Sequence, residues 1–551
     1  MNICSINMDH EPSVCIMQNN KIVWYNEERK LNKLKKTKGI PFACLEKYFV
    51  KENPNKIFLD RLIMDKFIVT GYNFNELSIV HIESYLKHIN VMTQGEECFS
   101  FNTPHHLSHA YKGFIDSGFE EARVFVVDGR GSDWYLTDNT QGYEVCSVYD
   151  FNKTDTKCIY KNVYVKDKKD NTCKINPYYN PDKNKGFTPE KFNPIGIGEH
   201  TKFEISHNLH LGNFYNSISE LFGYVDEEGK FMGYQSKGKF NQETYDKFLK
   251  GITRLEINKL TKNIDVARTA QIYFEDKYEE LVKKFKTKNM VFTGGTALNV
   301  INNYKLTKKF KDCNLWFDPL CTDVGNSIGN AYIYLKQLNQ NIQPLKNIYL
   351  GGQAEEFLAT PPVIYLKSGE KFIDTTIENI IDILEQGNVV GLFQGKSEAG
   401  PRALGNRSLL LDPTIKEAKD IMNEIKNRES FRPFACSVLE EKADEYFEME
   451  NIKNTPFMMH APTVKEKAKK EIPALVHDDD TCRIQTVNQN DNKVLHEILT
   501  KFKKPIIMNT SFNLAGRPIV ETIRDALYTA RQSKLKYVYF ADVNKLFIKC
   551  H

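Results

Sequence analysis

The sequence predicts an α/β protein of at least two domains, and three observations carry that prediction. First, 551 residues are more than one ordinary domain accommodates. Second, 41% hydrophobic and 26% charged residues with a formal net charge of +4 describe a globular chain with ample core. Third, apolar runs of strand length end repeatedly in small-residue turns that lead into helical sequence. RVFVV (123–127) ends at Asp128, MVFTGGTALN (290–299) passes through a Gly-Gly turn, and NVVGLF (388–393) ends in the loop QGKSEAGPRALGNRSLLLDPT (394–414).

Taken in order, NICSIN (2–7) and SVCIM (13–17) read as strands around the turn MDHEP, and KIVWY (21–25) reads as a third. Such a strand–turn–strand opening is how actin-like ATPase folds begin. In NTPHHLSHAYKGFIDSGF (102–119), Thr103 can cap, Pro104 suits a first helical turn and Gly118 suits the stop. His105 and His109, four apart on that helix, project from one face, the spacing by which a helix offers two imidazoles to one metal. Asp128 at a strand end and Asp323 beside a glycine turn in FDPLCTDVGNSIGNAYIYL (317–335) are candidate carboxylate partners. Two imidazoles and two carboxylates suit a divalent ion, Fe(II), Mn(II) or Mg(II), with room for exogenous ligands.

Residues 140–201 are polar and turn-prone, so regular structure should be sparse there, as in a variable insertion at about 140–200. His207 and His210, just before the helical GNFYNSISELFGYV, read as cap or core histidines. The Gly-Gly turn in MVFTGGTALN makes Gly294, Gly295 and Asn299 candidate nucleotide contacts, since a strand–turn–helix places N–H groups on phosphate; it is not a Walker A loop, because no G-K-[ST] follows. The polar stretch 336–347 marks a domain boundary, giving domains 1–345 and 346–551. Beyond it, glycines and cations gather. Lys396, Arg402 and Arg407 lie in the 394–414 loop, Lys426, Arg428 and Arg432 in KNRESFRPFA, and Arg483 in CRIQTV. Glycines let N–H groups approach an anion, and guanidinium forks bind phosphate bidentately. Asn509, Ser511 and Asn513 alternate at the end of the apolar strand KKPIIMNTSFN and can grip a triphosphate or adenine without adding charge. PFMMHAP (456–462) also reads as a strand.

The 394–414 loop, NRESFRPFACSVL and MNTSFNLAGRPIV (508–520) resemble, in order, the C-terminal YrdC-like half of the O-carbamoyltransferases, the family that carbamoylates nodulation factors and antibiotics. The N-terminal half resembles the actin-like half of the same family: His10-Glu11, Glu27-Glu28-Arg29, the basic stretch KLNKLKKTKG, and EEGKFMGYQSKGK (227–239) match its motifs. The resemblance implies an actin-like domain followed by a smaller YrdC-like one, and an ATP-dependent transfer from carbamoyl phosphate, through carbamoyl-adenylate, to an acceptor hydroxyl. It implies one divalent metal, iron first, on His105, His109, Asp128 and Asp323. It also implies His10 as base, a functional lysine among Lys33, Lys35 and Lys36, with Lys35 ranked first, and a Lys230 contact to phosphate or carbamoyl. Gln235-Ser236 departs from the small, proline-containing end of the family's 227–239 loop.

The acceptor stays open: a sugar, a small metabolite, or a hydroxymethyl-pyrimidine of nucleotide or DNA. A net charge of +4 does not encourage a tRNA threonylcarbamoyl role, and no C-x-x-C pair occurs among the twelve cysteines, as hydrogenase maturation would need. A degenerate nucleotide-binding protein is disfavoured because no charged motif residue is missing. The scattered cysteines, the lack of a leader-like N-terminus and the lack of any 18-residue apolar run suggest a cytoplasmic protein without a membrane partner, compatible with a homodimer.

Overall fold

The computed structural model describes residues 1–51, 64, 66–70, 76–88, 91, 99–100, 105–136, 140–166, 197, 200–352 and 366–550. The chain divides into two compact units: Met1–Val23, Lys38–Asn299 and Phe310–Leu345 form the first, and Trp24–Thr37, Val300–Lys309 and Lys346–His551 the second.

The opening strands β1 (Asn2–Asn7), β2 (Ser13–Gln18) and β3 (Lys21–Glu27) form where their sequence foretold. With β4 (Lys66–Thr70) and β5 (Phe99–Ser100) they make a sheet in the order β3-β2-β1-β4-β5, β1 pairing antiparallel with β2 and parallel with β4. Helix α1 (His105–Ser117) precedes β6 (Glu121–Val127), β7 (Gln141–Asn152), β8 (Thr156–Tyr164) and β9 (Lys202–Ser206). After helices α2 (Leu211–Leu221) and α3 (Ile264–Lys284) come β10 (Asn289–Thr293), β11 (Asn314–Phe317) and α4 (Asn326–Gln337). The second sheet runs β9-β8-β7-β6-β10-β11, with the short strand Asp133–Tyr135 beside β7. Its β8-β7-β6-β10-β11 core repeats the third-second-first-fourth-fifth order of the first sheet, again antiparallel from first to second and parallel from first to fourth. This duplicated mixed sheet with helices is the actin-like layout, although no internal sequence repeat announces it.

Strands β7 and β8 correct the expectation of sparse structure after residue 140. Lysines and asparagines dominate the average composition, yet Val145, Cys146, Val148 and Tyr149, then Cys158, Tyr160 and Val163, are all buried. The remainder of that stretch, 167–196, lies outside the described residues, as do Thr103 and Pro104.

The second unit holds one eight-stranded mixed sheet. Its elements are β12 (Glu370–Asp374), α5 (Ile377–Glu385), β13 (Val390–Phe393), β14 (Arg407–Leu411), α6 (Ala418–Lys426), β15 (Ala435–Leu439), β16 (Ile484–Val487), α7 (Lys493–Lys501), β17 (Ile506–Ser511), α8 (Ile523–Arg531), β18 (Tyr537–Phe540) and β19 (Lys545–Lys549). The order is β12-β19-β18-β13-β14-β17-β15-β16. Period-two alternation sends Val389, Phe393, Leu409 and Leu411 to a core shared with α6 and α8. Val390, Leu392 and Leu410 go to the opposite core, with α5 and α7. PFMMHAP does not form a strand: Pro456 has no amide to donate, Met458 sits at φ +58°, and only His460 bridges Ile484. Among the described residues no helix is long and apolar enough to cross a membrane.

Candidate functional site

Helical geometry does what the spacing of His105 and His109 implies. Both imidazoles leave one face of α1, and their Nε2 atoms lie 2.9 Å apart. Asp128 follows β6, and its Oδ1 accepts the N–H groups of Gly129 at 2.8 Å and Gly295 at 3.2 Å. That leaves Oδ2 facing His105 Nε2 at 3.4 Å and His109 Nε2 at 3.7 Å. Asp323 opens the turn Asp323–Gly325 before α4, and its Oδ1 lies 3.0 Å from His105 Nε2 and 3.4 Å from His109 Nε2. One donor atom from each of the four residues falls within 4.8 Å of the others.

The donor set fits a divalent cation. Two imidazole nitrogens in contact can share one proton at most, whereas a cation between them and two carboxylates satisfies all four lone pairs. Burial opposes charge on His105, but Asp323 and Asp128 outweigh it and push its pKa up to about 10; a cation would take the place of that proton. His105 Nδ1 lies 3.3 Å from the Asn326 amide nitrogen, and Asn326 Oδ1 is buried without a partner among the described residues. Turning that amide over puts its oxygen on Nδ1–H, satisfies both groups and directs the Nε2 lone pair at the centre.

His10 also reaches this centre, its Nδ1 3.3 Å from Asp323 Oδ2. The hydrogen bond to Asp323 raises its pKa to about 9, so the imidazolium is favoured rather than the neutral base expected from sequence. A cation held by Asp323 would oppose that shift. Lys230 sits in the helix Glu228–Tyr234, not in a loop, and pairs with Glu227 at 2.5 Å. Gly294 adopts φ +83°, and a Cβ there would stand 2.5 Å from Val127 O; the Gly-Gly turn is pressed against the strand end that carries Asp128. Asn299 exchanges side-chain hydrogen bonds with Gln271 at 3.1 and 3.2 Å. His210 caps α2, and burial lowers its pKa to about 4, as a structural histidine requires.

In the second unit the cations separate into two kinds. Arg407 is fully buried, stacks on Phe393 with 3.6 Å to the ring centre, and donates to the carbonyls of Gln394, Asn406, Gly352 and Gly395. These four donations organise the loop, while its Nε is buried without a partner among the described residues. Glu398 works with it, one carboxylate oxygen accepting the N–H groups of Leu404, Asn406 and Arg407 at 2.7–3.1 Å. The Glu27-Glu28-Arg29 motif serves the same loop: Glu27 accepts Gly400 N–H at 2.7 Å, and Lys30 bonds the Glu398 carbonyl. Asn509, also buried, donates to Ser437, Gln485 and Ala403. Nothing in the sequence pattern announced these internal hydrogen bonds.

Lys426, Arg428, Arg432 and Arg483 form the second kind. Lys426 Nζ bonds Ser511 and Asn513, 3.0 Å from Asn513 Oδ1, so those two side chains hold the lysine. Arg428 lies over Phe434 at 4.3 Å, and its Nη2 is buried without a partner among the described residues, as is Nε of Arg483. Arg432 Nε is 2.9 Å from a Glu429 oxygen, out of line for a hydrogen bond. Burial, then Arg428, Arg432 and Lys35, drive the Lys426 pKa well below the usual lysine range. Burial, then Arg432 and Arg483, lower Arg428 to about 9. An anion beside Lys426 and Arg428 would relieve the lowering that their cationic neighbours impose on them. Lys35 is electrically part of this cluster, whereas Lys33 pairs with Asp525 at 2.5 Å. Lys396 and Arg402 lie in the loop that Arg407 builds, where the Lys396 carbonyl accepts from Asn406 at 2.7 Å.

Two family profiles match the chain: carbamoyltransferase N-terminus over residues 92–332 and carbamoyltransferase C-terminus over 381–545. Nodulation protein NolNO of Sinorhizobium fredii is 27% identical over 558 residues, spanning 94% of this chain and 76% of that protein. An uncharacterised protein of Methanocaldococcus jannaschii is 34% identical over 362 residues, 58% of this chain and 68% of its own length. Nodulation protein NolO of Bradyrhizobium diazoefficiens is 37% identical over 251 residues, 44% of this chain and 46% of that protein.

Proposed function

The chain belongs to the carbamoyltransferase family and is a transferase of that kind, and from this premise we propose an ATP-dependent O-carbamoyltransferase that works in two half-reactions. In the second unit, read as the YrdC-like half, water releases phosphate from carbamoyl phosphate. The resulting carbamate oxygen attacks the α-phosphorus of ATP, and pyrophosphate leaves. Carbamoyl-adenylate then delivers its carbamoyl group to an acceptor hydroxyl in the first unit, and AMP departs with the adenylate oxygen.

The observation that carries this reading is the Lys426–Arg428–Arg432–Arg483 cluster: Arg428 Nη2 and Arg483 Nε are buried without a partner among the described residues, and burial together with neighbouring cations pushes the pKa of Lys426 and of Arg428 down, which suits dense phosphate charge. Phosphoryl and adenylyl transfer depend on such positioning and electrostatic stabilisation. In the first unit His105, His109, Asp128 and Asp323 would hold the divalent ion, Fe(II) first, which supplies Lewis acidity toward a carbonyl or phosphate oxygen. His10, beside Asp323, takes the hydroxyl proton of the acceptor once the Asp323 charge is shared with a cation. Acceptors of matching chemistry are sugars, small metabolites and hydroxymethyl-pyrimidines.

Arg432→Ala tests the first half-reaction. With carbamoyl phosphate and ATP, pyrophosphate release should fall by roughly 30-fold or more, the equivalent of ~2–4 kcal/mol of transition-state stabilisation. A folded variant that releases pyrophosphate at the parent rate would remove the adenylation assignment. Mass spectrometry of candidate acceptors for a gain of ~43 Da, the carbamoyl increment that group-transfer chemistry requires, identifies the second substrate.

A further inference from the structure

Behind the metal centre the first unit buries an ion pair that the transfer reaction does not use. Glu144 on β7 and Lys161 on β8 are both inaccessible to solvent and bonded to each other. Lys161 Nζ also donates to Ser147 Oγ at 2.8 Å and lies over the Trp134 ring at 5.1 Å. Burying two charges is expensive, and two apolar side chains would serve packing as well. What this pair holds therefore matters.

The contacts of Glu144 fall on the two segments that carry metal-ligand residues. Its Oε1 accepts the His106 N–H at 3.1 Å, at the start of α1, and the Ser132 N–H at 3.2 Å, in the loop that leaves Asp128. Ser132 Oγ accepts the His105 N–H at 2.7 Å, and the backbones of Glu144 and Ser132 are bonded at 3.0 Å. One carboxylate oxygen thus ties the backbone beside His105 to the backbone four residues beyond Asp128. Lys161 holds the other oxygen and prevents the carboxyl from turning. The packing is tight enough to exclude any side chain at Gly131, whose Cβ would stand 2.4 Å from Glu144 Cγ and 2.7 Å from the His106 ring.

We propose that Glu144, held by Lys161, is a positioning residue for the metal centre, fixing the start of α1 against the Asp128 loop and so presetting the gap between the His105 and Asp128 ligand atoms. This rests on the reading of His105, His109, Asp128 and Asp323 as one metal site. The carboxylate touches no ligand atom; it acts through two backbone N–H groups and Ser132. The same anion satisfies donors at a helix start that would otherwise be unpaired.

The test is divalent-ion affinity, measured on the full chain with Mn(II) and Co(II) against a competing chelator, together with the Co(II) visible spectrum. Glu144→Gln should weaken binding by roughly 10–100-fold, the usual effect of losing a partner one shell out, and shift the Co(II) bands. Ser132→Ala, at a half-buried loop position, should weaken it in the same direction by less. A purely structural pair would lower the unfolding temperature and leave affinity and spectrum unchanged in the folded protein; that result overturns the proposal. If Glu144→Gln does not fold, parent-like affinity in Ser132→Ala overturns it instead. Failure of the underlying reading looks different: the parent protein itself would bind neither ion stoichiometrically, and His109→Ala would change nothing.

Discussion

Residue by residue, the cations of the second unit show how little a side chain's type says about its task. Arg407 and Arg428 both come from basic stretches that follow or precede apolar strand sequence. Arg407 gives both Nη groups to carbonyls, whereas Arg428 bonds Asn423 through Nε and leaves a buried Nη2 without a partner among the described residues. Lys426 lies between these extremes, and its charge state gives a test. Its pKa is depressed in the folded protein by burial and by Arg428, Arg432 and Lys35, so the unfolded chain binds more protons than the folded one across the window below the ordinary lysine value. Stability of the ligand-free protein should therefore rise with pH through that window. An anion on the cluster restores the lysine's proton, so phosphate binding at mildly alkaline pH should take up a proton and weaken as pH rises further. Calorimetry of phosphate binding in two buffers of different ionisation enthalpy reads this directly. Heats that do not depend on the buffer would place the anion away from Lys426.

At the scale of elements, each candidate site is made where a strand ends. Asp128 closes β6, and the Gly-Gly turn after β10 packs against it, Gly295 donating to Asp128 Oδ1. Gly294 has no alternative there, since it combines φ +83° with a 2.5 Å approach of its missing Cβ to Val127 O. Gly294→Ala should cost about 2–3 kcal/mol, from strain at that φ together with displacement of the Val127 peptide. It should also loosen Asp128 by moving the Gly295 N–H. A urea midpoint equal to that of the parent would mean the turn relaxes freely and does not hold the aspartate. The loop between β13 and β14 follows the same rule, with Glu398 gathering three N–H groups as a ligand phosphate would.

For the whole molecule, the two proposed half-reactions belong to separate compact units, and that division has a kinetic signature. His109→Ala removes one of four candidate ligands in the first unit and leaves the second-unit cluster intact. It should lose the divalent ion and transfer no carbamoyl group to acceptor, while still releasing pyrophosphate from ATP when given carbamoyl phosphate. Metal content by mass spectrometry and a coupled pyrophosphate assay check both halves. A variant that keeps its ion would mean that the histidine pair is structural. Equal loss of both half-reactions would mean that they share one site.

Local rules were legible in the sequence. The 3.6-residue period puts His105 and His109 on one face, and strand-length apolar runs announce β1, β2, β3 and β13. The sequence also placed Asp128 and Asp323 as candidate partners, on types and turns alone. Only the tertiary structure decided which charges are spent on internal hydrogen bonds. Arg407 and Arg428, or Glu144 and Asp128, differ in what the rest of the chain packs around them, and burial and hydrogen-bond partners come from residues distant in sequence. β7 and β8 escaped notice for the same reason. Lys161 counts as polar in any local average, and becomes core only because Glu144, on the neighbouring strand, neutralises it in the interior.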